Sequence, residues 1–302
     1  MNDKFGGDLH KIQSTGRYLI EVWKACGMNM DRVKFLWCSE EINKYSETYW
    51  PGVLEIARMF NMKRVDRCSQ IMGRNEGDKS VSQLFYPCMQ CNDIFFLGVD
   101  MCQLGMDQRK VNVLAREYAG KRGIKPPVIA SHAMLPGLKK GQEKMSKSDP
   151  TSAIYMEDST EDIEQKIKGA WCPPWADEQD VAKNPVLAYF QSLVFPKLLD
   201  DGQAVTLEPL PEEPDTKPLT YHAFDDLLEA YKADQLSPKR LKANLTRFID
   251  AMIEPVRQHF QRNIHAEMLR QDIKRWQEEE RTAKLQRHQK KVDVAQAAES
   301  QS

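Results

Sequence analysis

The chain has 302 residues, of which 41% are hydrophobic and 29% charged, and its 43 Lys and Arg nearly balance its 44 Asp and Glu. This length predicts two domains with sizeable cores, and a net charge of −1 excludes a basic surface over the whole chain for nucleic acid. No apolar run approaches the roughly 18 residues of a membrane-spanning helix, so we expect no membrane partner.

Predicted strands and helices alternate in the first half of the chain. VKFLWCS (33–39) has the β-branched and aromatic residues of a strand. The segment from Pro51 to Phe60 follows as a helix. The run IFFLGVDMCQL passes from a helix end into a strand, a helix covers 107–119, and PPVIASHAML (126–135) predicts another strand. The expected packing positions of the helix at 51–60 are Leu54, Ile56, Ala57 and Phe60. Such alternation is typical of a parallel sheet with crossover helices.

From about residue 156 the hydrophobic pattern becomes helical. In the last long segment, Ser237 can cap a helix and Pro238 suits its first turn. Residues 200–234 contain several prolines and ten acidic side chains against two lysines, which predicts an exposed loop between helices. Residues 274–291 contain seven Lys and Arg against three Glu, which predicts a charged helix that frays into the C-terminal tail.

A lysine-rich loop carries the first candidate site. Lys144 and Lys147 lie in GQEKMSKSDP, and Gly141 and Pro150 place this segment on a loop. Two lysines three positions apart can close over a polyphosphate and neutralise the charge that builds on leaving pyrophosphate. Solvated Lys-Ser loops are common, but the five residues 144–148 resemble the full KMSKS motif of class I aminoacyl-tRNA synthetases.

Three polar residues on one predicted helix form the second candidate site. Tyr86, Gln90 and Asp93 lie within about 60° of one another around a helix. A phenol, an amide and a carboxylate together can bind the ammonium group of a ligand. The opposite face carries residues suited to burial: Val81, Leu84, Cys88, Cys91 and Phe95. An ordinary amphipathic helix explains the spacing equally well, and Pro87 predicts a kink or a late start.

The third candidate site follows the predicted strand VDMCQ. Gly105 allows a close backbone approach at the strand end, and Asp107 lies where the next helix should begin. Ligands of open α/β sheets bind beyond the carboxyl ends of the strands, where an acidic residue can bind a ribose diol. By position alone, Asp107 could equally be a helix N-cap.

Taken together, these motifs resemble the tyrosyl-tRNA synthetases of the eukaryotic and archaeal type. The order is Tyr-x3-Gln-x2-Asp, then DQRK, then HAMLPGL and KMSKS. The resemblance extends from FGGDL near the start to PVRQHF in the last long helical segment, and only the tail after about residue 275 lies outside it. In that family a Rossmann-type catalytic domain precedes a helical anticodon-binding domain, and the enzyme is a homodimer.

The fold class that we expect is therefore α/β. A Rossmann-type parallel-sheet catalytic domain, incomplete at its N-terminus, should occupy residues 1–155 and include the KMSKS loop at 144–148. An all-α anticodon-binding domain should follow at 156–275. Residues 276–302 should form a charged, flexible tail.

The resemblance also assigns roles to individual residues. The positions that match tyrosine-binding residues are Tyr86, Gln90, Asp93 and Gln108. The positions that match ATP-binding residues are Gly105, Asp107, Lys144 and Lys147. Gly105 and Asp107 match positions that face the adenylate ribose in the family. Lys144 and Lys147 match catalytic lysines of the ATP-binding loop, of which Lys147 is expected to contact ATP directly. Mg²⁺ is expected to accompany ATP, and no protein metal ligand is implied.

The sequence departs from the family pattern at two places. Leu104-Gly105 replaces the usual Gly-Gly, and Cys102 stands where a Gln is often found. No HIGH-type tetrapeptide occurs in the chain, although class I enzymes carry one on the first strand-to-helix turn. We therefore expect a chain that is truncated at its N-terminus and has little activity alone.

The predicted function is that of a tyrosine–tRNA ligase, which uses ATP to form tyrosyl-adenylate and transfers tyrosine to tRNA(Tyr). Its expected partners are L-tyrosine, tRNA(Tyr) and a second copy of the chain. One alternative is a non-catalytic RNA-binding or regulatory fragment of such an enzyme. A weaker alternative is a tryptophanyl-tRNA synthetase, against which the set of Tyr86, Gln90 and Asp93 argues.

The seven cysteines favour a reducing compartment. Their number is odd, and the start of the chain lacks the apolar segment of a signal peptide, so we expect reduced thiols and a cytoplasmic location. Cys88 and Cys91 form a CxxC motif, but a structural zinc site needs a second pair. Burial in the helix core is therefore the expected role of these two side chains.

Overall fold

The structure is a computed structural model that describes residues 4–69, 80–145, 149–213 and 216–299. By their internal contacts, Val33–Met134 form a first compact unit, and the described residues up to Arg32 join those from Leu135 onward in a second. This grouping differs from the predicted domain boundary between residues 155 and 156, which stays a prediction. No helix of the described residues is long and apolar enough to cross a lipid bilayer.

Helices dominate both units. In chain order, the described α-helices are α1 (Leu9–Ala25), α2 (Cys38–Lys44), α3 (Ser46–Met59), α4 (Met62–Ser69), α5 (Val81–Phe96), α6 (Arg109–Arg122), α7 (Thr160–Gly169), α8 (Glu178–Lys183), α9 (Pro185–Tyr189), α10 (Phe195–Asp200), α11 (Phe224–Lys232), α12 (Pro238–Arg262) and α13 (Ile264–Glu299). A π-helical turn, Phe190–Val194, joins α9 to α10. Short 3₁₀ turns lie at Lys4–Gly7, Met30–Arg32, Met106–Gln108 and Pro150–Ser152. The strands are β1 (Met101–Gly105), β2 (Val128–His132), β3 (Val205–Leu207) and β4 (Leu219–Tyr221).

A parallel strand pair organises the first unit. β1 and β2 pair in register from Met101 opposite Val128 to Gly105 opposite His132, and α6 is the crossover between them. Gly123 ends α6 in the left-handed conformation (φ 66°), which glycine adopts without steric cost. The predicted strand, helix and strand are thereby confirmed. Both strands end at the same edge of the pair, so Gly105 and His132 lie side by side.

The core of the first unit joins α3, α5 and α6. Its most deeply buried members include Tyr49, Val53, Ile56, Cys88, Cys91, Leu114 and Ala115. Helices α3 and α5 approach closely where Gly52 faces Asn92, because a Cβ at residue 52 would lie 2.2 Å from Asn92 Oδ1. The predicted burial of Cys88 and Cys91 is confirmed, and burial raises the pKa of both thiols.

Three predictions for the first unit were wrong. Residues 33–37 form no strand, and α2 begins at Cys38. Aromatic and β-branched composition favours a strand, but a strand also needs a neighbour for its backbone groups, and the described sheet of this unit consists of β1 and β2 alone. Leu54 and Val81 were expected to pack, yet they are 56% and 77% exposed.

The second unit is mainly helical, as predicted from residue 156 onward. Its core includes Ile163, Ile167, Leu187, Phe190, Leu227, Leu241 and Leu245. The expected cap of α12 is confirmed, because Ser237 Oγ accepts a hydrogen bond from the Arg240 backbone N–H at 3.1 Å. The expectation of an all-α domain was wrong in one respect, since β3 and β4 form an antiparallel pair inside the predicted acidic loop. The buried Arg240 guanidinium donates to the carbonyls of Leu207 and Lys217 and so holds this pair.

Helix α1 also belongs to the second unit, although the sequence placed it in the catalytic domain. It packs on α12 and α13, with Val22 against Val256 and Phe260. Helix α13 begins before the predicted tail and continues into it as far as Glu299. Trp276, the first residue of that tail, is only 8% exposed and makes edge contacts with Phe5 and His10. The start of the predicted tail is therefore packed structure.

Candidate functional site

The predicted site residues are distributed over both compact units. The first unit contains Tyr86, Gln90, Asp93, Gly105, Asp107 and Gln108, and the second contains Lys144. Lys147 lies outside the described residues. The two groups are described separately below.

The polar face of α5 contains the predicted tyrosine-binding residues. The helix runs from Val81 through Pro87 to Phe96, so the proline neither ends nor delays it. Gln90 Nε2 donates a hydrogen bond to Gln108 Oε1 at 3.1 Å, which brings together two residues that are 18 positions apart. Gln90 Oε1 is buried without a hydrogen-bond partner. Such an acceptor costs about 1–3 kcal/mol, so a ligand donor at this point would be stabilised.

Asp93 has a different neighbour, Tyr49 of α3. The Tyr49 hydroxyl donates a hydrogen bond to Asp93 Oδ1 at 2.8 Å. Burial raises the pKa of the Asp93 carboxyl, and the hydrogen bond from Tyr49 opposes that rise. Burial also raises the pKa of Tyr86, which lies on the same face of α5, and the Asp93 charge adds to this effect. Along α5 the polar groups thus form two sets, Gln90 with Gln108 and Asp93 with Tyr49.

Sequence reasoning missed Tyr49. The predicted helix began at Pro51, whereas α3 begins at Ser46. Extending the helical period back by one turn places Tyr49 on the face of Val53 and Ile56, which are fully buried. Extending the helix in this way would have predicted that Tyr49 faces the core.

The carboxyl end of β1 positions Gly105 and Asp107. A Cβ at residue 105 would lie 2.7 Å from Asp107 Oδ1 and 2.8 Å from Met134 Sδ, so glycine is required for this close approach. The N-cap interpretation of Asp107 is wrong: Gly105 caps the short turn at Met106–Gln108, and Gln108 precedes α6. Asp107 therefore lies inside that turn, at the strand end where ligands of α/β sheets bind.

A second pair at this strand end was not predicted. Gln103 Nε2 and His132 Nδ1, from β1 and β2, lie 2.7 Å apart. His132 Nε2 would lie 3.6 Å from a Cβ at Gly105, so the imidazole faces the same edge. The strand register was the missing information, because residues 103 and 132 become neighbours only when β1 and β2 pair.

The lysine-rich loop is fixed at both of its ends. Gly137 N donates to Gln142 O at 2.9 Å, and Gln142 Nε2 donates to Ser152 Oγ at 3.0 Å. Lys139 pairs with Asp149 and, with Thr151, holds the pKa of that carboxyl below its usual value. Lys144, between these attachments, is exposed, whereas the side chain of Met145 packs on the core of the second unit.

Comparison with known proteins identifies the family. The family model described as tRNA synthetases class I (W and Y) matches residues 2–254. The chain belongs to this family. Tyrosine--tRNA ligase 1, cytoplasmic, of Arabidopsis thaliana is 50% identical over 277 residues, which are 91% of this chain and 69% of that protein. These matches and the solved structures place the chain with the tyrosyl-tRNA synthetases of the eukaryotic and archaeal type.

Solved structures of this class I family share the fold. Tyrosyl-tRNA synthetase of Leishmania major, in complex with tyrosinol, is 48% identical with a TM-score of 0.81 over 91% of this chain and 41% of that one. The Pyrococcus horikoshii tyrosyl-tRNA synthetase, complexed with L-tyrosine, is 31% identical with a TM-score of 0.78 over 90% of this chain and 78% of that one. The chain thus spans between about two fifths and four fifths of the length of these relatives.

Proposed function

We propose that the chain performs the tyrosine–tRNA ligase reaction, in which ATP activates tyrosine to tyrosyl-adenylate and tyrosine then passes to tRNA(Tyr). The observation that carries this proposal is the polar face of α5. There Gln90 binds Gln108 and keeps one buried oxygen without a partner, and Asp93 lies three residues further along the helix. This arrangement supports a pocket with two polar ends.

Each end suits a different group of tyrosine. The Gln90–Gln108 pair, with Tyr86, offers acceptors for the ammonium group and donors for the carboxylate. Asp93 would accept the hydrogen bond of the phenol. Binding of phenylalanine would leave this half-buried carboxylate without its partner, which is the situation that produces strong rejection. Strong rejection of phenylalanine is known for this enzyme family, so the size of the effect is not deduced from this chain.

Activation needs alignment and charge neutralisation. The tyrosine carboxylate attacks the α-phosphorus of ATP, a P–O bond forms, and pyrophosphate leaves with the electron pair of the bond that breaks. Asp107, beside Gly105, would hold the ribose, while Lys144 and Lys147 would neutralise the pyrophosphate. Mg²⁺ would add charge neutralisation on the phosphates. We assign Mg²⁺ to ATP, as the family resemblance implies.

Transfer to RNA needs a partner surface. We assign tRNA(Tyr) to the helical residues of about 156–275, following the family resemblance, with a homodimer as the working assembly. The cytoplasmic location rests on the name of the Arabidopsis thaliana relative. No covalent link between the protein and tyrosine is needed in either step.

Exchange of radioactive pyrophosphate into ATP tests the proposal. The exchange that the full chain supports, which the sequence predicts to be slow, should be fastest with tyrosine and at least about 100-fold less efficient with phenylalanine or tryptophan. Preference for tryptophan would favour the tryptophanyl alternative. Binding of tRNA(Tyr), with neither exchange nor tyrosine binding by calorimetry, would contradict the proposal and favour the non-catalytic fragment.

A further inference from the structure

We infer that Tyr49 is a positioning residue that orients the Asp93 carboxylate and thereby sets the discrimination between tyrosine and phenylalanine. The inference rests on the proposed function, because it concerns the phenol end of the same pocket. Tyr49 itself is only 1% exposed, so its hydroxyl would act on a ligand through Asp93 and not by direct contact.

Two hydrogen bonds join Tyr49 to consecutive residues of α5. Its hydroxyl donates to Asp93 Oδ1 at 2.8 Å, and its backbone oxygen accepts from Asn92 Nδ2 at 3.3 Å. The ring is held by edge contacts with Trp50 and Phe96, at centroid distances of 5.6 and 5.1 Å. The hydroxyl therefore has a fixed position. It occupies one carboxylate oxygen of Asp93 and leaves the other for a ligand donor.

The same hydroxyl affects the charge of Asp93. A carboxylate that accepts hydrogen bonds is favoured in its ionised form, whereas burial favours the neutral form. Tyr49 is the group that opposes burial at this site. Without its hydroxyl, the pKa of Asp93 should rise, and the acidic loss of tyrosine binding should begin at a higher pH.

Among the described residues, the groups whose pKa responds to the Asp93 charge are thiols and phenols. These groups include Tyr49 from α3, Cys38 at the start of α2, and Tyr86 and Cys91 on the same helix as Asp93. Burial raises the pKa of each of these thiols and phenols above its ordinary value. All four therefore stay neutral while Asp93 titrates.

Tyr49→Phe in the full chain tests the inference, because it removes one oxygen atom and keeps the ring contacts. Calorimetry should show about tenfold weaker tyrosine binding and nearly unchanged phenylalanine binding, as expected for one lost hydrogen bond to a charged group. Selectivity for tyrosine should fall by the same factor. In an Asp93→Asn background, where the charge is absent, Tyr49→Phe should change tyrosine affinity by less than about twofold.

Tyr118→Phe is the matched control. Tyr118 is a buried tyrosine of α6 whose hydroxyl donates to Glu55 Oε2 at 2.7 Å and whose ring contacts Phe95 of α5. The same oxygen is lost from the same compact unit, but away from Asp93. This variant should leave tyrosine affinity and its pH profile unchanged, even if it lowers the melting temperature as much as Tyr49→Phe does.

A titration without ligand separates this inference from the proposed function. The ¹³C carboxyl signal of Asp93, assigned by its absence in Asp93→Asn, should titrate at higher pH in Tyr49→Phe than in the parent chain or in Tyr118→Phe. An unchanged titration, or an equal loss of tyrosine and phenylalanine binding, would overturn the inference. If the parent chain bound no tyrosine, the proposed function and the selectivity role would both fail, while the titration would still show whether Tyr49 controls Asp93.

Discussion

The lysines of the KMSKS loop at 144–148 are proposed to act through their charge. The negative charge on pyrophosphate grows as the bond to the α-phosphorus breaks, so a lysine aimed at the leaving group stabilises the transition state more than bound ATP. Tyrosine, in contrast, is proposed to bind to amide and carboxylate groups of the first compact unit. The two functions should therefore be separable by mutation.

Lys147→Ala should slow tyrosine activation about 10²–10³-fold and leave tyrosine affinity nearly unchanged, by analogy with the loss of one transition-state donor. Pyrophosphate exchange gives the rate and calorimetry gives the affinity. Lys183→Ala, on the exposed side of α8, is the control and should affect neither. Parallel losses of rate and tyrosine affinity would contradict the assigned role of Lys147.

At the scale of elements, the proposed tyrosine pocket depends on how closely α3 approaches α5. Gly52 leaves room for the buried side chain of Asn92, whose amide in turn donates to the Tyr49 carbonyl. A methyl group at residue 52 would overlap Asn92 Oδ1 and push the helices apart, which would also displace Tyr49 from Asp93.

Gly52→Ala should destabilise the first unit by about 1–3 kcal/mol, the usual cost of overpacking. Gly120→Ala on α6 is matched to it, because a Cβ there meets nothing within 4 Å and alanine favours a helix by up to about 1 kcal/mol. Hydrogen exchange of α3 and α5 peptides would measure both effects. Equal protection in the two variants would show that the helices have room to spare.

A buried charge attaches α1 to α12. Glu21 is 8% exposed and accepts from Lys24 Nζ at 2.6 Å, and His259 Nε2 lies 2.8 Å from its second oxygen. Burial alone would raise the pKa of Glu21, but these hydrogen bonds bring it below the usual 4.5. The folded form therefore favours the ionised carboxylate. Its contribution is present above pH 4.5 and is lost as the pH falls through the lower, folded pKa.

Glu21→Gln should lower the free energy of opening of α1 by about 1–3 kcal/mol at neutral pH. It should also abolish the acid-dependent part of the loss seen in the parent chain. Hydrogen exchange of α1 peptides at several pH values, corrected for the intrinsic rates, measures both. Glu278→Gln, in an exposed pair with Arg281, should cost less than about 0.5 kcal/mol. Identical pH dependence of α1 in the parent and Glu21→Gln would refute this attachment.

The elements that sequence could predict were those with a strong local pattern. The period of α12, its Ser237 cap and the apolar runs of β1 and β2 are local properties, and all were predicted. The pair of β3 and β4 was missed because each strand has three residues and is held by Arg240, which lies elsewhere in the chain. Tyr49 and His132 were missed for the same reason, since their partners are defined by helix packing and strand register.

At the scale of the whole molecule, near-neutrality limits how strongly RNA binding can depend on salt. Each phosphate neutralised by Lys or Arg adds about 0.7–0.9 to the slope of log affinity against log salt, and a chain with net charge −1 should make few such contacts. The basic residues of α13 are the obvious source of additional contacts, but Trp276 and the pair of Lys11 with Glu279 at 3.6 Å show that part of this helix is structural.

Two truncations separate these roles of α13. Deleting 282–302 removes much of the basic charge but keeps Trp276 and Glu279, and it should leave the affinity for tRNA(Tyr) and its salt slope unchanged, because we expect a solvated extension. Deleting 276–302 also removes the tryptophan, and it should cost about 3 kcal/mol in stability, as for a large core side chain, and expose α1 to hydrogen exchange. Filter binding between 50 and 200 mM salt (about the range over which phosphate contacts are resolved) measures the slope. A decrease of about one unit or more in the shorter deletion would identify the end of α13 as an RNA contact.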